Sequence, residues 1–220
     1  MSGHEPLRVG VLLSGAGTSL ENLVVLTLSG NVPARVVLVL SSKEGAGGLQ
    51  CAERHGIPAV AVPRRRHHDV GEFNDRIHVE LEKHGVELVA CLGFLSPFEL
   101  RSYEGRAINV HPALIPAFSG KGFYGRRVHE AVLAKGVKLT GATVHFIDAE
   151  YDHGPIILQQ AVPVQQDDTP ETLAERVQAV ERELVPEAIR LYAEGRLEIV
   201  DHKVRAREPQ EGPPGRGPQG

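Results

Sequence analysis

The sequence predicts an α/β protein, a mostly parallel sheet flanked by helices, with an antiparallel strand pair near the C-terminal end. Short runs rich in Val, Leu and Ile recur at residues 7–13, 35–40, 59–62, 88–92 and 107–110. Near-continuous apolar runs of this length suit strands buried on both faces. Segments of helical periodicity separate them, and alternation of strand with helix is how parallel sheets are built. After Lys135 the alternation stops. Residues 139–146 and 155–163 both read as strands, joined by the acidic loop 147–154 instead of a helix, and a connection that short joins antiparallel neighbours.

The helices carry their own boundary signals. They are expected at residues 19–29, 47–55, 70–84 and 125–135, and Gly56, Gly85 and Gly136 stand just beyond the last three as stops. A long amphipathic helix begins with Thr169 as N-cap and Pro170 as first helical residue, and runs to about Gly195. Pro186 falls inside it and predicts a kink, because proline has no N–H to donate one turn back. From Arg205 the chain is rich in Gly and Pro with almost nothing apolar to bury. Residues 205–220 are therefore expected to be a disordered tail, and residues 1–204 a single domain.

The 220 residues are 41% hydrophobic and 24% charged, which suits a chain that buries one core. A formal net charge of −4 and a pI near 6.3 argue against nucleic-acid binding through a broad basic surface and favour a small-molecule partner. No apolar run approaches the roughly 20 residues of a membrane span, and the first six residues lack a basic-then-apolar signal, so no membrane association and a cytoplasmic location are expected. Cys51 and Cys91 have no Cys-x-x-Cys partner and read as buried free thiols.

Chemistry concentrates at strand ends. Asn109 and His111 alternate with Ile108 and Val110, so both point to one side of a strand that Pro112 ends. Open α/β sheets bind their ligands at that carboxyl edge. An asparagine donates to a developing oxyanion, and a histidine moves protons near neutral pH. Asp152, before His153-Gly154-Pro155, supplies a loop carboxylate that can orient and charge the histidine. Together the three suit acyl transfer. Asp148, Glu150, Asp152, His145 and His153 crowd the same loop, but their spacing matches no familiar ligand pattern, and no metal is expected.

Ser14-Gly15-Ala16-Gly17-Thr18-Ser19 follows the first strand and opens a helix, a natural anion site for a phosphate. Leu20 occupies the place of the third glycine of a dinucleotide fingerprint, so a single phosphate is favoured over a dinucleotide. A turn that merely joins strand to helix reads the same way. The basic run 64–68 and Arg126-Arg127 fit either anion contacts or solvated loops.

These segments resemble the glycinamide ribonucleotide formyltransferase family, the folate-dependent transformylases of purine synthesis. The likeness runs from Leu12-Leu13-Ser14-Gly15 through Gly93-Phe94, Asn109-Val110-His111-Pro112 and Gly141-Ala142-Thr143-Val144-His145-Phe146 to Glu181. It implies a Rossmann-like sheet and an Asn109, His111, Asp152 catalytic set that transfers the formyl group of 10-formyltetrahydrofolate to the amine of glycinamide ribonucleotide, on the route to IMP. It places the substrate phosphate on Gly15, Gly17, Thr18 and Ser19, the ribose hydroxyls on Gln178 and Glu181, and the reacting amine beside Gly93 and Pro112. The folate falls to Leu95 and to a pterin-binding loop of Ile147, Asp148, Ala149, Glu150 and Tyr151. The implied protein is a monomer or homodimer that needs no metal.

The sequence departs from the family pattern in three places. Thr18 and Ser19 close the glycine turn where Ser-Asn is usual. The segment Leu95-Ser96-Pro97-Phe98 is shorter than its counterpart and lacks an arginine used near the folate tail, and Gly120-Lys121-Gly122-Phe123-Tyr124-Gly125 is longer. A formyltetrahydrofolate hydrolase is the near alternative, disfavoured because the few residues before Leu7 leave no space for the regulatory domain such relatives carry. A non-catalytic folate or nucleotide sensor is the other, disfavoured because it has no use for all three of Asn109, His111 and Asp152.

Overall fold

The computed structural model describes residues 5–208. Its elements in order are β1 (Leu7–Leu13), α1 (Thr18–Leu28), β2 (Ala34–Ser41), α2 (Gly47–Arg54), β3 (Ala59–Ala61), α3 (Val70–Lys83), β4 (Leu88–Cys91), β5 (Ala107–His111), α4 (Arg126–Lys135), β6 (Leu139–Phe146), β7 (Ile156–Pro163), α5 (Pro170–Ala193), β8 (Leu197–Val200) and β9 (Lys203–Ala206). Seven strands form one sheet in the order β3-β2-β1-β4-β5-β6-β7. The pairs among β1 to β5 are parallel, and β6 runs antiparallel to both neighbours. The expected mixed sheet, with its antiparallel pair following the last crossover helix, is what forms.

Strand order explains where a site can be. From central β1 the chain moves outward through β2 and β3, then crosses to the other side of β1 for β4 and β5. The loops leaving β1 and β4 therefore diverge and open a crevice at the carboxyl edge. Alternation along the strands feeds two cores. Val9, Val11 and Leu13 pack with Leu23, Val132, Val177 and Ile189 under α1, α4 and α5, while Leu12, Leu40 and Val89 pack with Phe73, Ile77 and Leu81 of α3.

Local chemistry sets the helix ends. The Asp69 side chain accepts from the Glu72 N–H at 2.8 Å to open α3. Thr169 and Thr172 exchange side-chain and backbone hydrogen bonds, a reciprocal cap, with Pro170 in the first turn of α5. Helix α5 runs through Pro186 to Ala193, close to its expected end. Proline leaves the carbonyl one turn back, that of Arg182, without its helical donor, and the Asn22 side-chain amide of α1 supplies one at 2.8 Å. The chain from Leu197 also forms a hairpin, β8 with β9, whose Leu197 and Val204 rest on the main core. Arg205 and Ala206 consequently belong to a strand and not to the expected tail. The turn escaped notice because Asp201 and His202, not glycine or asparagine, take the positive φ values of 48° and 62°. The remainder of that expectation, residues 209–220, lies outside the described residues.

Gly141 on β6 faces the Gln160 carbonyl and the Leu114 side chain so closely that any Cβ would overlap both. Gly141→Ala is expected to cost about 1–3 kcal/mol of stability in urea denaturation, the usual size of overpacking. Gly15→Ala, whose added methyl meets nothing within 4 Å, should leave the midpoint unchanged.

Candidate active site

The site begins with the register of β5 on β6. Asn109 pairs directly with His145 across the ladder, and its amide Nδ2 lies 3.1 Å from His145 Nε2. His145 Nδ1 is 2.7 Å from the Phe146 carbonyl, which can only accept, so Nδ1 carries the proton and Nε2 accepts from Asn109. Burial pushes the His145 pKa down, against the opposing pull of the Phe146 carbonyl and of Asp152. A neutral, buried imidazole thus fixes the Asn109 amide with one N–H committed and the other directed elsewhere.

His111, two residues along β5, is 3% exposed. Its Nε2 donates to the Phe118 carbonyl at 2.9 Å, and its Nδ1 lies 3.4 Å from Asp152 Oδ2. The same carboxylate oxygen accepts the Gly120 N–H at 2.9 Å, and Oδ1 lies 3.8 Å from His145 Nε2. Asp152 therefore stands between two histidines, with a loop amide anchoring it. It adopts φ 53°, a left-handed conformation that costs a residue bearing a Cβ. Behind His111, buried His129 of α4 has its pKa lowered by burial and by His111.

A cleft of about 480 Å³ opens on this cluster, in the size range of small-molecule sites. Its walls come from three loops. One follows β4 and brings Gly93 and Leu95; the second brings Gly120 through Gly125; the third brings Ile147, Asp148, Ala149, Glu150, Tyr151 and Asp152. Pro112 completes the floor beside Asn109 and His111. All residues predicted for catalysis and for the folate line this one cleft, as do Gly93 and Pro112.

The residues predicted for phosphate and ribose do not line the cleft. Gly15, Gly17, Thr18 and Ser19 turn from β1 into α1, and the turn is tied to the cleft wall: the Ser14 N–H donates to the Gly93 carbonyl at 3.0 Å and the Leu95 N–H to Ser14 Oγ at 2.9 Å. Gly17 is the N-cap of α1, with φ 84° and no side-chain cap, so the helix presents its amides without competition from its own chain. A Cβ on Gly17 would stand 2.6 Å from Gly48 Cα. Absence of side chains there lets α2, also uncapped, begin against the same turn. Glu181 and half-buried Gln178 sit on α5, and the Asn22 bond to the Arg182 carbonyl holds that stretch against α1. Burial pushes the Glu181 carboxyl up to about 7, with neighbouring Arg182 only partly opposing.

Other basic groups are engaged on the surface. Arg65 and Arg66 pair with Glu44, and Arg126 pairs with Glu130 and Glu171. Sequence reasoning missed three contributors, namely the His145 imidazole, the Phe118 carbonyl and the Gly120 N–H. Only His145 left a trace, as a histidine on a predicted strand, and its partner became apparent only once register paired it with Asn109.

A family model described as formyl transferase matches residues 7–189. The chain belongs to the formyl transferase family. This formyl transferase is 40% identical to a chloroplastic phosphoribosylglycinamide formyltransferase of Arabidopsis thaliana, over 89% of its own length and 69% of the relative's. It is 41% identical to the trifunctional purine biosynthetic protein adenosine-3 of Gallus gallus over 88% of its length, and spans 19% of that larger protein. Its fold superposes on the crystal structure of glycinamide ribonucleotide transformylase 1 from Symbiobacterium toebii with a TM-score of 0.89 at 39% identity, covering 94% of this chain and 96% of the other.

The raised Glu181 pKa fixes a pH dependence. Between the ordinary value of 4.5 and about 7, the unfolded chain has lost this proton while the folded chain retains it. Stability therefore falls as pH rises through that window and levels off above it. Glu181→Gln is expected to remove the slope, so that the variant gains on the parent between pH 5 and 7 by up to roughly 3 kcal/mol in denaturant titrations. Parallel curves for the two proteins would show that Glu181 titrates normally.

Proposed function

We propose that this protein transfers the formyl group of 10-formyltetrahydrofolate to the amine of glycinamide ribonucleotide, in de novo purine biosynthesis. One observation carries the proposal: Asn109, His111 and Asp152 converge at the floor of a cleft that adjoins an uncapped glycine turn. The turn suits a phosphate, the cleft suits a folate, and the convergence suits a carbonyl between them.

In this mechanism the substrate amine attacks the formyl carbon, and a C–N bond forms as the carbonyl electrons move onto oxygen. The free N–H of Asn109 and the Nδ1–H of a protonated His111 donate to that oxyanion, since His111 Nε2 is held by Phe118. Asp152 provides the counter-charge for the imidazolium, and accepts through water the proton the amine loses. Collapse breaks the bond to folate N10, which takes up one proton, so the products are formylated ribonucleotide and tetrahydrofolate. The ribonucleotide phosphate rests on Gly15, Gly17, Thr18 and Ser19, with its ribose toward Gln178 and Glu181. Gly93 and Pro112 flank the amine, and Leu95 with Ile147, Asp148, Ala149, Glu150 and Tyr151 holds the pterin.

All of these residues lie on one chain, so a monomer or a homodimer serves equally. No helix among the described residues is long and apolar enough to cross a membrane, and action in the cytoplasm fits both substrates.

Incubation with 10-formyltetrahydrofolate should yield formylated product and tetrahydrofolate in equal amounts, and only when glycinamide ribonucleotide is present. Tetrahydrofolate appearing without the ribonucleotide would instead reveal a hydrolase. His111→Ala should lower kcat by about 10²–10³, the usual loss for an oxyanion donor. In His145→Ala, which frees the Asn109 amide to rotate, kcat should fall by a smaller factor with little change in KM. An unchanged kcat would remove His145 from the account.

A further inference from the structure

Away from the cleft, α1 and α2 meet through a cluster that formyl transfer does not use. Glu21 lies in the first turn of α1, and Cys51 and His55 lie on and just after α2. Glu21 Oε2 accepts from the Cys51 thiol at 2.9 Å, and Oε1 lies 2.8 Å from His55 Nε2. One donor atom from each residue falls within 4.8 Å of the other two. Cys51 is 2% exposed, whereas Glu21 and His55 are partly open to solvent.

A thiol is a weak hydrogen-bond donor, and here the buried Cys51 thiol shares the Glu21 carboxylate with Arg54 and His55. As a thiolate beside imidazole and carboxylate, the same sulfur is a strong ligand for a borderline-soft divalent ion. Ligands on a tetrahedral zinc ion stand about 3.3–3.5 Å apart, given metal–ligand bonds of about 2.0–2.3 Å. Glu21 already reaches Cys51 through Oε2 and His55 through Oε1, at 2.9 and 2.8 Å, and one donor atom from each of the three residues lies within 4.8 Å of the other two, so side-chain adjustment brings them to such spacings. The helices that carry the ligands are already fixed against each other, through the contact of Gly17 with Gly48 and the bond from the Gly48 N–H to the Gly15 carbonyl at 3.2 Å.

We infer that Glu21, Cys51 and His55 form a structural site for a divalent cation of the zinc class, with a fourth position open to water, clamping α1 to α2. Binding displaces the thiol proton to solvent. The two ligand charges then balance the ion, and the Arg54 guanidinium, which now shares Glu21 Oε2 at 2.7 Å and is 61% exposed, swings away.

Cobalt(II) tests the site on the full chain, because thiolate ligation gives a ligand-to-metal charge-transfer band in the near ultraviolet that nitrogen and oxygen ligands do not. One equivalent of cobalt should produce the band in chelator-treated protein, and zinc should abolish it. The band should vanish in Cys51→Ser and persist in Cys91→Ala, which removes the other cysteine. His55→Ala, a change at the partly open helix end that leaves the buried thiol in place, should weaken binding by at least about tenfold. Arg54→Ala should tighten it by removing the competing cation. The inference is overturned if no band appears at stoichiometric cobalt, or if the band survives Cys51→Ser. It is also overturned if cobalt binds without a thiolate band and is lost in His202→Ala, which would assign the ion to the exposed cluster of Asp148, His153 and His202.

Discussion

The carboxylate of Asp152 holds the site together. It is only 13% exposed, and a buried charge persists only when neighbours replace the water it has lost. Two do so here: the Gly120 N–H and His111. They come from different parts of the chain, so one charge recruits the loop before α4 and the end of β5. The left-handed backbone at Asp152 is the local cost of aiming that charge inward, where the direction of the side chain matters more than backbone comfort.

Because Asp152 lies between two imidazoles, they divide the work. Burial and the Phe146 carbonyl keep His145 neutral with its proton on Nδ1, which frees Nε2 to orient Asn109. The Nε2 of His111 is tied to Phe118, so only Nδ1, the nitrogen beside the carboxylate, can face a substrate. In the proposed transfer Asn109 and His111 would be the donors to the developing negative charge, held in place before any substrate arrives, the condition under which electrostatic stabilisation is most effective. The strand order joins this chemistry to binding. The crossing from β3 back to β4 opens the crevice, and the Ser14 bonds to Gly93 and Leu95 tie the glycine turn to the cleft wall.

Much of this was legible in the residues themselves. Alternation placed Asn109 and His111 on one side of a strand, Pro112 marked the end of that strand, and the glycine turn after the first apolar run marked a helix start. Each signal is local, so each survives without a partner. What stayed hidden depended on pairing over long separations. His145 gains its meaning from standing opposite Asn109 across 36 residues. Phe118 and Gly120 act through backbone groups, which no residue type announces. No local signal shows how α5 accommodates Pro186, because the donor for the carbonyl it leaves free, Asn22, is 160 residues from that carbonyl. The β8–β9 hairpin was missed because Asp201 and His202 form its turn without glycine, and its short strands rest on the core through only Leu197 and Val204.

The central claim is that His111 and Asp152 act as one unit, and a double-mutant cycle on formyl transfer tests it most directly. Rates would be compared for the parent, His111→Ala, Asp152→Asn and the double variant. If the carboxylate works mainly through the imidazole, removing it after His111 is gone should cost little, and the double variant should be about as slow as the slower single variant, as groups that act together behave. A double variant slowed by the product of the two single losses would contradict the account and leave Asp152 with a separate role.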